Sequence, residues 1–193
     1  MREDKMGGNI LKKNIFLTGR ASAGKTAVIK KVIEKLNVPA KGFYIEQERE
    51  TSTKVGFAMI TLDGKRCYLA HHTIASPCMI RGYGVSIENV ETVAVPSIFP
   101  AGTDVIILDG IGKMECFSDA FKRAVIRALD SSNIVIGTIS QGKDDFIMKI
   151  KNRRDVEIHE VTRNNRKLLP EFLLGRIAGL LNAYGKKIPF AHK

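Results

Sequence analysis

Gly19-Arg20-Ala21-Ser22-Ala23-Gly24-Lys25-Thr26 is a glycine, four free positions and then Gly-Lys-Thr, the P-loop pattern. An apolar run, Ile15-Phe16-Leu17-Thr18, precedes it and reads as a buried strand. Val28, Ile29, Val32, Ile33 and Leu36 follow at helical spacing and predict a helix with one apolar stripe. In a strand, glycine loop and helix of this kind, backbone N–H groups turn inward around a phosphate chain. The helix N-terminus adds its dipole and its unpaired amides. Gly19, Arg20, Ala21, Ser22, Ala23, Gly24, Lys25 and Thr26 are therefore the candidate nucleotide-binding residues. Within them Lys25 offers a mobile cation to the outer phosphates, a catalytic role, and Thr26 offers a hydroxyl to a magnesium ion.

On either side of this unit the chain keeps an α/β grammar. Met1 to Asn9 read as a flexible leader, 10–185 as a single domain and 186–193 as a tail. After the first helix, Val55–Thr61 and Arg66–Ala70 are short β-rich runs separated by Leu62-Asp63-Gly64-Lys65, and Asp-Gly between such runs predicts a hairpin. An antiparallel excursion is thus expected before the later βα units. His71 and His72, just behind it, have no partner at metal-ligand spacing and read as surface loop residues. A short helix is expected from near Ser86 or Ile87. Val105–Leu108 is a buried strand ending at Asp109, and Ser118 is a candidate N-cap for a helix carrying Phe121, Val125, Ile126 and Leu129. Ile134–Ile139 and Val156–Val161 read as strands with a basic helix around Asp145–Lys151 between them. A last helix reaches Tyr184, starting near Asn164 or, because of Pro170, near Leu169, with Leu168, Leu169, Phe172, Leu173, Ile177, Leu180 and Leu181 inward. Strands alternating with helices predict a mainly parallel sheet covered on both faces.

Composition narrows the class. The chain of 193 residues is 44% hydrophobic and 26% charged, as soluble globular proteins are. No apolar run approaches a membrane span, and the start, MREDKMGGNILKK, lacks the apolar segment of a signal peptide. Three widely spaced cysteines, Cys67, Cys78 and Cys116, make neither a disulfide framework nor a metal cluster, and a reducing cytoplasm is the expected location. The net charge of +11 admits nucleic acid as a partner. The basic residues are dispersed, however, and their densest groups (KIKNRR at Lys149, RNNRK at Arg163) carry no interleaved aromatics, so that partner is not favoured. No feature specifies an oligomeric state.

A P-loop also needs an acidic group to hold its metal ion, and an aspartate at the tip of a parallel strand is well placed for that. Asp109 is that candidate. Behind it runs Gly110-Ile111-Gly112-Lys113-Met114-Glu115, then Cys116-Phe117-Ser118. With GFYIEQ at Gly42, VGFAMITLDG at Val55, RGYGV at Arg81 and TRNNR at Thr162, the chain resembles the THEP1 family of P-loop nucleoside-triphosphatases over about Asn14 to Ile177. The resemblance implies a RecA-like α/β domain that binds magnesium and hydrolyses ATP, GTP and other triphosphates to diphosphate and phosphate, with broad base selectivity. It also implies roles for Lys113, a positive charge near the γ-phosphate, and for Glu115, a retained carboxylate.

One position departs from the family. Gly110 stands where the family carries the glutamate that orients the attacking water, a group worth roughly 10²–10⁴ in rate. Binding through Lys25, Thr26 and Asp109 is expected to survive, turnover to be impaired, and Gly110→Glu to raise it. Ser140 and Gln141 are candidates to polarise water in its place. Two alternatives stand beside the triphosphatase. One is a nucleotide or small-molecule kinase. The other is a nucleotide-binding switch with little turnover, which Gly110 supports.

Overall fold

The computed structural model describes residues 11–185; the expected leader, 1–9, and tail, 186–193, lie outside them. Strand β1 (Asn14–Thr18) runs into the glycine loop and helix α1 (Lys25–Lys35). β2 (Ala40–Glu50), β3 (Thr53–Thr61) and β4 (Arg66–His71) follow, then the short pair β5 (Met79–Ile80) and β6 (Tyr83–Val85). A helical stretch capped by Ser86 comprises α2 (Ile87–Asn89), a π-helical turn (Val90–Ala94) and α3 (Val95–Ser97). The rest alternates: β7 (Val105–Ile111), a 3₁₀ turn (Glu115–Phe117), α4 (Asp119–Asp130), β8 (Ile134–Ile139), α5 (Asp145–Lys151), β9 (Val156–Glu160) and α6 (Leu169–Ala183).

The described strands form one sheet in the order β5-β6-β4-β3-β2-β7-β8-β1-β9. From β2 to β9 neighbouring strands are parallel; from β2 outward to β5 they are antiparallel. β2 joins the two halves, pairing with β7 through Ala40–Phe43 and with β3 through most of its length. β8 lies between β1 and β7, so the loop that follows it emerges between the glycine loop and Asp109.

Alternation along the parallel strands builds two cores. Ile15, Leu17, Val105, Ile107, Ile134 and Ile136 face α1 and α6. Their neighbours Phe16, Ile106, Leu108 and Val135 face α4 and α5 across the sheet. The continuous apolar runs read as buried strands have this cause: successive side chains enter opposite layers, and both layers are buried and apolar.

Four expectations need correction. β7 does not end at Asp109, because Ile111 resumes the pairing with β8 opposite Ile139 after a register shift. The Asp109–Gly110 peptide inside it is cis. His71 closes β4 and is only 7% exposed, stacked between Tyr68 and His72, with Nδ1 2.7 Å from the Thr73 hydroxyl. On α4 the buried set includes Ala128, while Ile126 is only partly covered. Finally, α6 takes the later of its two expected starts, Leu169, and Leu168 and Phe172 do not face inward but are 71% and 40% exposed. Pro170 fits its first turn, where a helix needs no N–H. The preceding turn is bracketed instead by Asn165, which accepts from the Thr162 amide at 2.8 Å and donates to the Glu160 carbonyl at 2.8 Å.

Candidate functional site

The glycine loop is wound by three left-handed residues, Gly19 (φ 134), Ser22 (φ 61) and Gly24 (φ 98). At Gly19 any side chain would also meet the Val161 carbonyl, whose oxygen would lie 2.9 Å from a Cβ, so both conformation and space require glycine. No side chain caps α1 at Gly24, and its first amides face the loop. Lys25 folds over this cradle, its Nζ donating to the carbonyls of Gly19 and Arg20, each at 2.9 Å. Burial holds its ammonium below the usual lysine range, against the pull of Asp109. Uncapped amides and a half-buried cation at one point make a cradle for an anion.

Asp109 lies beside it, 3% exposed. Thr138, on β8, donates its hydroxyl to Asp109 Oδ1 at 2.6 Å, while Oδ2 is buried with no hydrogen-bond partner among the described residues. Burial pushes this carboxyl up; Thr138, the nearby Thr26 hydroxyl, the Ile45 amide and Lys25 oppose the shift. A buried carboxylate oxygen without a partner, next to a threonine hydroxyl, fits a hard divalent cation that takes oxygen ligands.

Glu115 enters from the 3₁₀ turn, almost fully buried, and accepts the Gly112 amide at 3.0 Å. Burial, with Asp109 adding to it, raises its carboxyl to about 7. Gly110 lies between the two acids in the chain. A side chain there would run into Thr138 Oγ1, the same hydroxyl that bonds Asp109. Thr138 thus stands where a residue at position 110 would place its first carbon.

These groups share one cavity of about 710 Å³, which Gly19, Lys25, Thr26, Asp109, Gly110 and Glu115 all line. Ser140 and Gln141 border it as well, because β8 is the central strand between β1 and β7. Lys113 is not on this cavity. It borders an adjoining one of about 310 Å³, which shares Glu115 and Ser140 with the first. Arg166, from the TRNNR segment, lies against the loop, its Cδ 3.6 Å from where a Cβ on Gly24 would sit. Arg20 and Ala23 do not line the cavity; the Arg20 carbonyl supports the loop through Lys25 and the Ala23 amide.

The far wall went unrecognised in the sequence. Ile45 and Gln47 from β2, Lys54 and Phe57 from β3, and Arg81 from the β5–β6 turn close the cavity opposite the glycine loop. The signal was the two-residue period of GFYIEQERE, which puts Ile45 and Gln47 on one face, and Phe57 is the antiparallel partner of Gln47.

Residues 14–174 match the family model described as NTPase. The nucleoside-triphosphatase THEP1 of Thermotoga sp. (strain RQ2) is 43% identical over 162 residues, 82% of this chain and 92% of that protein. The cancer-related nucleoside-triphosphatase of Homo sapiens is 36% identical over 180 residues, 83% of this chain and 95% of the other. The crystal structure of THEP1 from the hyperthermophile Aquifex aeolicus superimposes with a TM-score of 0.78 at 30% identity, covering 85% of this chain and 98% of that one.

Proposed function

Because the chain belongs to the THEP1 family of nucleoside-triphosphatases, we propose that it hydrolyses nucleoside triphosphates to diphosphate and phosphate at this cavity, with broad base selectivity and slowly. The observation that carries the reading is the convergence of the uncapped glycine loop, Lys25, Thr26 and the half-satisfied Asp109 on one cavity.

In this reading the amides of Gly19–Thr26 hold the phosphate chain, and Lys25 leaves its two carbonyls for the outer phosphates. Thr26 and Asp109 Oδ2 would hold magnesium, which when bound neutralises charge on the phosphate oxygens. Glu115 is the carboxylate left to accept a proton from water as the water oxygen bonds to the γ-phosphorus and the bridge to the β-phosphate breaks. A carboxyl titrating near 7 suits that task. Lys113, exposed on the adjoining cavity, contributes positive charge from the side of Glu115. Nucleoside triphosphates are the partners this site takes, and a cytoplasmic setting follows from them; among the described residues no helix is long and apolar enough to cross a membrane.

Gly110 favours a second reading, a nucleotide-dependent switch with little turnover. Phosphate release from a panel of triphosphates with magnesium decides between them. Release above background supports the hydrolase; tight magnesium-dependent binding without release supports the switch. Transfer of the γ-phosphate to an added acceptor would instead identify a kinase.

A further inference from the structure

Lys54 and Arg81 belong to the antiparallel half of the sheet, yet both line the large cavity and the smaller one that adjoins it at Glu115. Lys54 is set there by its neighbours. The Tyr83 hydroxyl donates to its carbonyl at 3.1 Å, and Tyr83 meets Phe57 edge-on with ring centroids 5.8 Å apart. Its ammonium rests 3.9 Å from the Phe57 centroid and 5.8 Å from that of Tyr83. An aromatic pair therefore supports the charge from behind.

Among the described residues neither cation has a carboxylate within ion-pair distance, although several other lysines and arginines of the chain do. Like charge is gathered instead: burial first, then Arg49 and Arg81, hold the Lys54 ammonium below the usual lysine range. Asp109 and Glu115 line the same large cavity and Glu50 borders a neighbouring one, yet among the described residues none of them forms an ion pair with Lys54 or Arg81, which leaves both cations open to an anionic ligand.

Resting on the triphosphatase reading, we propose that Lys54 and Arg81 bind the terminal phosphate of the nucleoside triphosphate from the side opposite the glycine loop. The glycine loop holds the inner phosphates, so the group these two cations reach is the one a diphosphate lacks. They thereby make the site selective for triphosphate over diphosphate, and they oppose the charge that grows on the transferring group. Lys25 then has cationic counterparts on the far wall of the cavity.

The test compares wild type with Lys54→Met, which keeps the aliphatic stem over Phe57 and Tyr83, with Lys54→Arg and with Arg81→Ala. Steady-state hydrolysis of magnesium-ATP and magnesium-GTP is measured. Affinities for ADP and GDP are compared with those for the β,γ-imido triphosphates. Lys54→Met and Arg81→Ala are expected to lower kcat/KM about tenfold or more and to erode triphosphate preference, with diphosphate affinity within about twofold of wild type. Lys54→Arg should keep most of the activity. Variants with wild-type turnover and wild-type preference would overturn the inference and leave the triphosphatase reading standing. Equal loss of diphosphate and triphosphate affinity would overturn it too, because that marks a general effect on the cavity. A wild-type protein that binds no triphosphate would instead remove the reading underneath.

Discussion

At the scale of single residues the site turns on three side chains and one missing one. Lys25→Ala removes the cation that spans the loop, and magnesium-dependent triphosphate binding measured by calorimetry, or phosphate release, should disappear with it; retention of both would refute the loop assignment. For Glu115 the sign follows from its role. Proton acceptance needs the ionised form, and a carboxyl at about 7 gains that form as pH rises from about 6 to about 8. Asp109 adds to the upward shift, while Lys54, Arg81 and Lys113 share cavities with Glu115. The kcat/KM profile should therefore climb through about 7 and level off, and Glu115→Gln should flatten it and cost roughly 10²-fold or more. Gly110→Glu is expected to raise turnover, but its Cβ must displace the Thr138 hydroxyl from Asp109. Overpacking of this kind costs about 1–3 kcal/mol. Pairing it with Thr138→Ser, whose smaller side chain turns aside more easily, should recover melting temperature and phosphate release together. A double variant no better than Gly110→Glu would count against Thr138 as the obstacle.

At the scale of elements, much was legible because the physics was local. The strand, glycine loop and α1 follow from apolar periodicity and the P-loop spacing, and Ser118 does cap α4, accepting the Phe121 amide at 3.1 Å. The glycine loop and Asp109 share a cavity for the same reason, since tips of parallel strands gather at one edge of a sheet. What stayed hidden depends on contacts distant in sequence. No local pattern shows that β2 pairs parallel on one side and antiparallel on the other, and the placement of Lys54 and Arg81 follows from that double pairing. The partner of Ser118 was hidden likewise: its hydroxyl donates to Glu91 Oε1 at 2.7 Å, tying the π-helical turn to α4. Ser118→Ala should thus cost about 1–2 kcal/mol, at or above the usual N-cap value, read from chemical denaturation. Because α4 packs behind the 3₁₀ turn that carries Glu115, some loss of turnover should accompany it.

At the scale of the whole molecule the cavity lies where two differently built halves of one sheet meet. The parallel half brings the glycine loop and Asp109, and the antiparallel half brings Lys54, Phe57 and Arg81. A nucleotide between them would bridge elements that are distant in the chain, and it would bind only when both halves are folded. Ligand binding should therefore appear as global stability. At a free nucleotide concentration about a hundred times Kd the gain is about 2.7 kcal/mol, which for a chain of this size is about 5–11 °C in Tm. The net charge of +11 should strengthen capture of an anionic ligand at low salt and let it weaken as ionic strength rises. Thermal melts with magnesium and nucleotide across a salt series then test the architecture as one object. A single cooperative transition moving upward by that amount, less so at high salt, is the expected result. Two transitions, of which only one responds to nucleotide, would mean that the halves fold separately and that the site belongs to one of them.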